Sequence, residues 1–278
     1  EYDPVHNGHA WQLAQAKALG AQRVAVAMSC GLTQRGALPL LPEPVRVRAA
    51  LECGADLVFA LPAPWACAGA EAFARAGVRL LAAAGCDALV FGAETPDAAL
   101  LLETARVLNS EAYRAALKAR LAARARSFAA ARQAAVQAVG ADPAMAELLS
   151  QPNNNLAVEY CRAILEQGAE MTPVPLPRMG AGHGQALEES SHARFASASA
   201  LRALWAEGGA DAVAPFVPEK ALKLYKMAEL DGMYTDFAAA GRCELALLRA
   251  ACAKSEPFAA VRGVSEGLEH RLEHAVRQ

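Results

Sequence analysis

Two histidines three residues apart, His6 and His9, stand with Asn7 and Gly8 between them and lead directly into a helical pattern beginning near Ala10. At that spacing and at the start of a helix, both imidazoles can face one bound triphosphate, and Gly8 lets the backbone come close to it. The helix N-terminus adds its own positive potential. In adenylyl transfer, charge builds up on the oxygens around the α-phosphorus, and donors already aimed there lower the barrier. Two such histidines are also common as surface residues or as a chance metal pair, so the reading needs a second feature.

That feature lies far downstream. Ser197-Ala198-Ser199-Ala200-Leu201-Arg202 resembles the S-x-[ST]-x-x-R signature with which adenylyltransferases close their site. Ser197 and Ser199 offer hydroxyls to phosphate, and Arg202, one turn on, is placed to reach the β- and γ-phosphates. Alone, the segment reads as a capped helix with an exposed arginine. Paired with an HxGH motif in an α/β chain it points to catalysis by His6, His9, Ser197, Ser199 and Arg202.

The elements that must carry these residues follow from periodicity. Apolar runs rich in Val, Leu and Phe alternate with longer helical stretches, the pattern of β-α units around a parallel sheet. Strands are expected at 23–29, 56–61, 87–91 and 171–175, three of them after a helix-ending glycine (Gly20, Gly54, Gly85). Helices are expected at about 9–19, 44–53, 69–84, 96–107, 110–139, 154–167 and 197–207, with Asn154 and Ser197 as N-caps. No strand pattern remains after about Asp211. The expected organisation is an α/β Rossmann-like nucleotide-binding domain over 1–212, with its first strand missing before Glu1 and a helical insertion at about 108–150. A partial helical domain over 213–278 follows, and the chain reads as truncated at both ends.

The 278 residues, 54% of them hydrophobic, suffice for a large core plus a smaller one, and the abundance of Ala, Leu, Arg and Glu favours helix. Seven cysteines are scattered without a C-x-x-C pair or histidines at ligand spacing, against a disulfide framework or a zinc site. No apolar run approaches the roughly 20 residues that span a bilayer, and no charged-then-apolar leader is present. A cytoplasmic setting without membrane is expected, and nothing marks an obligate protein partner.

Net charge of −2 argues against wholesale attraction to nucleic acid but hides a local excess: Arg106, Arg114, Lys118, Arg120, Arg124, Arg126 and Arg132 stand against the single acid Glu111. That stretch has the charge to hold RNA phosphates, or else is a solvated helix face. Lys220, Lys223 and Lys226 form a second cluster at three-residue spacing.

The blocks together resemble one family. Glu1-Tyr2-Asp3-Pro4 running into His6-Asn7-Gly8-His9, Gln34-Arg35-Gly36, Phe91-Gly92-Ala93-Glu94, Pro152-Asn153-Asn154 with Glu159-Tyr160, Arg178-Met179-Gly180-Ala181, the Ser197–Arg202 signature and Val264-Ser265-Glu266-Gly267-Leu268-Glu269 occur in the order seen in the tRNA(Met) cytidine acetate ligase family. The resemblance covers essentially the whole chain, and the joint order is far more specific than HxGH alone.

It implies an enzyme that forms acetyl-adenylate from ATP and acetate, then acetylates N4 of the wobble cytidine, position 34 of elongator tRNA(Met). It also implies ATP-binding positions at Glu1, Tyr2, Asp3, Pro4, Val5, His6, Asn7, Gly8, His9, Gln12, Gly92, Asn154 and Arg178, with Asn153 beside them. Such chemistry needs alignment and charge neutralisation rather than a base, because acetate is already ionised at neutral pH. Mg²⁺ on the phosphates is expected, and an anticodon loop offers unstacked bases to grip.

The chain departs from the family pattern at three places. Gln12 stands where a third histidine is usual, Met28-Ser29-Cys30-Gly31 replaces Met-Ser-Gly-Asn near the acetate pocket, and only Gly182-His183 remains of a Tyr-His pair. Two other functions fit parts of the pattern. A small-molecule adenylyltransferase making a dinucleotide-type cofactor shares the HxGH but has no use for the Arg-rich insertion, and a non-catalytic tRNA- or nucleotide-binding module has no use for both intact motifs.

Overall fold

The computed structural model describes residues 1–123, 127–178, 189–190, 193–253, 258, 260–261, 264 and 267–278, for 189, 190, 193 and 194 the backbone alone. Arg124, Arg126, Met179, Gly180, Ala181, Gly182, His183, Ser265 and Glu266 lie outside the described residues.

Periodicity and structure agree on the frame. The strands β1 (Ala25–Ser29) and β2 (Leu57–Leu61) pair in parallel, as do β3 (Ala88–Ala93) and β4 (Thr172–Pro177). In β4 the prolines occupy alternate positions, 173, 175 and 177, and the backbone N–H groups of Thr172 and Arg178 donate to the Asp87 and Ala93 carbonyls beside β3. The proline nitrogens therefore face away from β3. A strand with that alternation is confined to the edge of its sheet, since its outer side has no N–H to offer a neighbour.

Helices α1 (Asn7–Ala18), α2 (Glu43–Glu52), α3 (Ala70–Ala83) and α4 (Ala98–Asn109) connect the first strands. Between β3 and β4 the insertion folds as α5 (Glu111–Ala122), α6 (Phe128–Ala138) and α7 (Pro143–Leu148), and α8 (Pro152–Gln167) returns the chain to β4. The continuous pattern over 110–139 is thus two helices, the second started by Ser127, whose Oγ accepts the Ala130 N–H at 3.2 Å. A two-residue antiparallel pair, β5 (Glu189–Ser190) and β6 (Ala193–Arg194), precedes α9 (Ala198–Val213) and α10 (Glu219–Leu230). Gly208 and Gly209 break the helical dihedrals within α9, which is why the pattern read from sequence stops at 207.

Two apolar cores hold this unit. One gathers β3, α3, α4, α6, α7 and α8 around Phe91, Leu101, Leu108, Val136 and Val158. The other joins Val5, Leu13, Leu40 and Leu41 to α9 and α10 through Leu201, Trp205, Ala221 and Tyr225. That second core moves the division of the chain from the expected 212/213 to 233/234. Residues Glu1–Met233 form one compact unit because Ala221, Tyr225 and Ala228 of α10 are buried in it.

The second unit, Tyr234–Gln278, contains α11 (Phe237–Ala251) and α12 (Leu268–Arg277), packed through Cys252, Phe258 and Val276. Arg277 braces it by donating to the Cys252 carbonyl at 2.9 Å and to Glu273 at 2.7 Å. No helix among the described residues is long and apolar enough to cross a membrane.

Candidate active site

His6 is the N-cap of α1. Its Nδ1 accepts the Gly8 N–H at 3.1 Å, while His9 Nδ1 accepts the His6 N–H at 3.4 Å, closing a reciprocal cap of the kind usually made by Ser and Glu. A neutral imidazole that accepts at Nδ1 carries its proton at Nε2. Both rings are thereby fixed as Nε2–H donors, stacked with centroids 3.8 Å apart, and the Tyr2 ring lies 4.5 Å from His9, tilted to it. The cap also explains Gly8. A Cβ there would come 2.9 Å from His6 Cε1, so the capping ring fills the space that any side chain would need.

Burial holds both imidazoles neutral. Desolvation, with the Arg178 guanidinium as the next cause, lowers His6 to about 3; desolvation and then the neighbouring His6 ring push His9 well below its usual value. Because the unfolded chain binds these protons near pH 6.5 and the folded one does not, stability is fully present above pH 6.5 and lost as pH falls toward 3. His6→Asn keeps an N-cap acceptor and removes one titration. Its melting temperature should match the wild type near pH 7.5 and fall less on acidification, by up to about 1.4 kcal/mol, or 2–4 °C, per pH unit. Parallel acid slopes in thermal melts between pH 7.5 and 4.5 would contradict this.

The downstream motif meets this segment. Arg202 Nη1 donates to the Asp3 carbonyl at 2.9 Å and to its carboxylate at 3.3 Å, across 199 residues. Asp3 is 1% exposed, and its other oxygen accepts the Leu40 N–H at 2.7 Å. Desolvation raises its carboxyl above the usual range, with Arg202 and the Leu40 amide pulling the other way. Ser197 is the N-cap of α9: its Oγ accepts the Ala200 N–H at 3.2 Å and lies 3.1 Å from Ser199 Oγ. Phe195, just before it, sits 4.0 Å from the position of a Gly8 Cβ. Residues 6–9 and 195–202 therefore adjoin one another.

A third strand of the site comes from β3, β4 and α8. Arg178 follows β4, and its Nη1 donates to Asn153 Oδ1 at 2.5 Å. Its stem crosses Gly92, where a Cβ would lie 3.3 Å from Arg178 Cγ. Gly92→Ala should leave the melting temperature within a few degrees, since the exposed arginine can yield, but weaken ATP use by about tenfold through displacement of that guanidinium. Saturation kinetics compared with Arg178→Ala test it; wild-type values in Gly92→Ala would separate the glycine from the site.

Other residues expected at the nucleotide also make contacts within the protein. Asn154 is buried, accepts the Thr95 N–H at 2.9 Å and donates to Thr95 Oγ1 at 3.1 Å. It is not the N-cap of α8, which starts two residues earlier with Pro152 in the first turn. The first N–H groups of α8 are satisfied by Glu94: its carboxylate accepts Asn153 N at 3.2 Å, Asn154 N at 2.7 Å and the Asn153 side-chain amide at 2.5 Å. Gln12 donates to the Val90 carbonyl of β3 at 3.2 Å, and Glu1 accepts the Gln34 N–H at 2.7 Å. Pro4 and Val5 are buried.

Sequence reasoning missed two supports. Glu94 closes the Phe91-Gly92-Ala93-Glu94 motif, yet its role as the cap of a helix 59 residues away had no local signal. Tyr225 of α10 donates its hydroxyl to the Val5 carbonyl at 2.8 Å, bracing the histidine segment across 220 residues.

The cationic stretches divide likewise. Arg106 pairs with Glu103 and Arg132 with buried Glu159, while Arg114, Lys118 and Arg120 are exposed on α5. Lys220, Lys223 and Lys226 each face an acid, Glu52, Glu219 and Asp211 respectively. Among the described residues no group of three His, Cys, Asp or Glu side chains is placed to hold a metal ion.

Comparison with known proteins bears on the family and the fold. The HIGH Nucleotidyl Transferase family model matches residues 1–278. The tRNA(Met) cytidine acetate ligase of Syntrophotalea carbinolica is 39% identical over 240 residues, 85% of this chain and 56% of that protein. The protein of the same name from Caldanaerobacter subterraneus subsp. tengcongensis is 32% identical over 280 residues, 98% of this chain and 67% of that one. The crystal structure of Thermotoga maritima TmcAL bound with alpha-thio ATP matches with a TM-score of 0.85 at 29% identity, covering 100% of this chain and 66% of that one. The chain thus spans between 56% and 67% of the length of these relatives.

Proposed function

The chain belongs to the HIGH nucleotidyl transferase family and, within it, to the tRNA(Met) cytidine acetate ligase family, and from that premise we propose that it activates acetate with ATP and acetylates a tRNA cytidine. In the first step an acetate oxygen attacks the α-phosphorus of ATP, and the bond to the oxygen bridging the α- and β-phosphorus breaks, releasing pyrophosphate. In the second, the N4 amine of the wobble cytidine of elongator tRNA(Met) attacks the acetyl carbonyl, AMP leaves and the amine loses a proton.

The observation that carries this reading is the junction of residues 6–9 with residues 195–202 through Asp3 and Arg202. The Nε2–H groups of His6 and His9 are donors set in advance for the oxygens where charge accumulates. Ser197 and Ser199 hydroxyls and the free N–H groups of Arg202 serve the leaving pyrophosphate. Arg178, oriented by Asn153, adds positive charge at the sheet's C-terminal edge, where open α/β sheets bind ligands. Mg²⁺ fits as an ion carried by the triphosphate rather than by a protein cage, the usual mode for nucleotide-bound Mg²⁺. It supplies charge neutralisation on the phosphates.

ATP–pyrophosphate exchange with acetate present and absent tests the proposal on the 278-residue chain. Exchange only with acetate is the expected result. Exchange without acetate would favour a small-molecule adenylyltransferase, and no exchange under either condition a non-catalytic binding module.

A further inference from the structure

A groove of about 1080 Å³ opens between α3, α5, α6 and α8, apart from the histidines. Five arginines line it against two glutamates. Its floor is rigid and charged: Glu159, 3% exposed, is held at 2.7 Å by Arg132 on one carboxylate oxygen and at 2.7 Å by Arg162 on the other. Asn109 accepts from Arg162 Nε at 2.9 Å, so the plane of the Arg162 guanidinium is set. Above this floor Arg79 and Arg114 are exposed and bond to no acid among the described residues. On the rim two aromatic side chains face solvent, Trp65 at 48% and Phe128 at 59% exposure. Burying rings of this size is the usual outcome of folding, so two of them beside unneutralised arginines form a surface built for a partner.

We propose that this groove binds unpaired nucleotides of the RNA stem-loop that presents the acceptor cytidine. The inference rests on the RNA-acetylating function proposed above and adds the place where the loop is held. Unstacked bases require π-faces on which to stack, which Trp65 and Phe128 supply, and phosphates between them require cations, which Arg79 and Arg114 supply. A paired helix would offer neither base face nor the tight phosphate spacing of a turn. The groove is also wired to the nucleotide site through α8. Arg132 Nη1 donates to Asn155 Oδ1 at 3.4 Å, and Asn155 adjoins the Asn153–Asn154 pair that Glu94 anchors beside Arg178. From Asn154 to Glu159 the helix rises about 7.5 Å. An RNA strand laid along the groove therefore runs toward the Asn153–Arg178 end of the nucleotide site. Charge complementarity chooses RNA over an apolar partner, and the aromatic rim chooses loop over duplex.

The test uses the 278-residue chain and fluorescence anisotropy with a synthetic stem-loop RNA bearing a loop cytidine, a fully paired duplex of the same length, and polyglutamate as competitor. Trp65→Ala and Phe128→Ala should each weaken loop binding by about tenfold. The double variant Arg79→Ala with Arg114→Ala should lower the slope of log affinity against log salt by about 2. All four side chains are exposed, so melting curves should stay within a few degrees of wild type, and acetate-dependent exchange should be unchanged. Equal affinity of wild type and variants for the loop would remove the groove from the RNA surface while leaving the catalytic proposal intact. Duplex bound as tightly as loop, or polyglutamate competing as well as RNA, would reassign the groove and overturn the proposal. Failure of the wild type to bind the loop at low salt would overturn both it and the RNA half of the proposed function.

Discussion

In a His9→Ala variant, acetate-dependent ATP–pyrophosphate exchange falls by about 10²- to 10³-fold while RNA binding is retained. That is the range for losing one donor aimed at the developing charge of a transition state. The side chain has two jobs, which separate by substitution. Its Nδ1 caps α1 by accepting the His6 N–H at 3.4 Å, and its Nε2–H is the donor left for a ligand. Losing the cap costs about 1 kcal/mol of stability. His9→Gln restores an acceptor at the N3 position, where Glu and Gln commonly reach back to the N-cap amide. It should recover the melting temperature and still lack activity. Near-normal exchange in either variant, measured with enzyme shown to be folded, would remove the imidazole from the chemistry.

Arg202→Ala should be damaging in a different way, losing stability and exchange together. Asp3 is a buried carboxylate, and without Arg202 it keeps one hydrogen bond, from the Leu40 amide, and the more distant charge of Arg46. Breaking a buried pair costs about 3–5 kcal/mol, and Arg202 is partly exposed, so roughly 2–3 kcal/mol is expected. The sign with pH follows from the raised carboxyl of Asp3. A group whose folded pKa lies above its unfolded value opposes folding as pH rises through that range. Removing Arg202 raises the carboxyl further, so the deficit relative to wild type should shrink on acidification, when Asp3 is neutral and needs no counter-ion. Adding Asp3→Asn to Arg202→Ala should restore most of the stability, as coupled partners do in a double-mutant cycle. Exchange should stay low, because the guanidinium that serves the phosphates is still missing. Recovery of exchange together with stability would make Arg202 a brace and nothing more.

The same residues mark how far the sequence could be read. Strands β1 to β4 and most helices followed from apolar period, and Ser197 was legible as a cap because its partner, the Ala200 N–H, is three residues away. His6 and His9 were legible as a pair for the same reason, since one helical turn brings them together whatever the rest of the chain does. Asn154 shows the opposite case. Its type suits a cap, yet Glu94, supplied from the end of β3, already satisfies those amides, and the asparagine turns inward to Thr95. The lysines at 220, 223 and 226 looked cationic because their acids are contributed partly by Glu52 and Asp211. Likewise Arg132 looks like a free charge in the sequence, whereas in the fold it shares the buried Glu159 carboxylate with Arg162.

By itself, then, the sequence determined the α/β order, the capped start of α9 and the pair of imidazoles, all features whose cause lies within one or two turns of chain; the cap that His6 places on α1, which starts two residues before the expected 9, was not read from it. Tertiary structure alone decided that Arg202 grips Asp3, that Tyr225 belongs to the first unit because it holds Val5, and that arginines of α3 and α5 share one groove. The physical reason is range: backbone capping and apolar period act over a few residues, whereas the partner of a buried polar group is whichever residue the packed cores bring to it, here across as many as 220 positions.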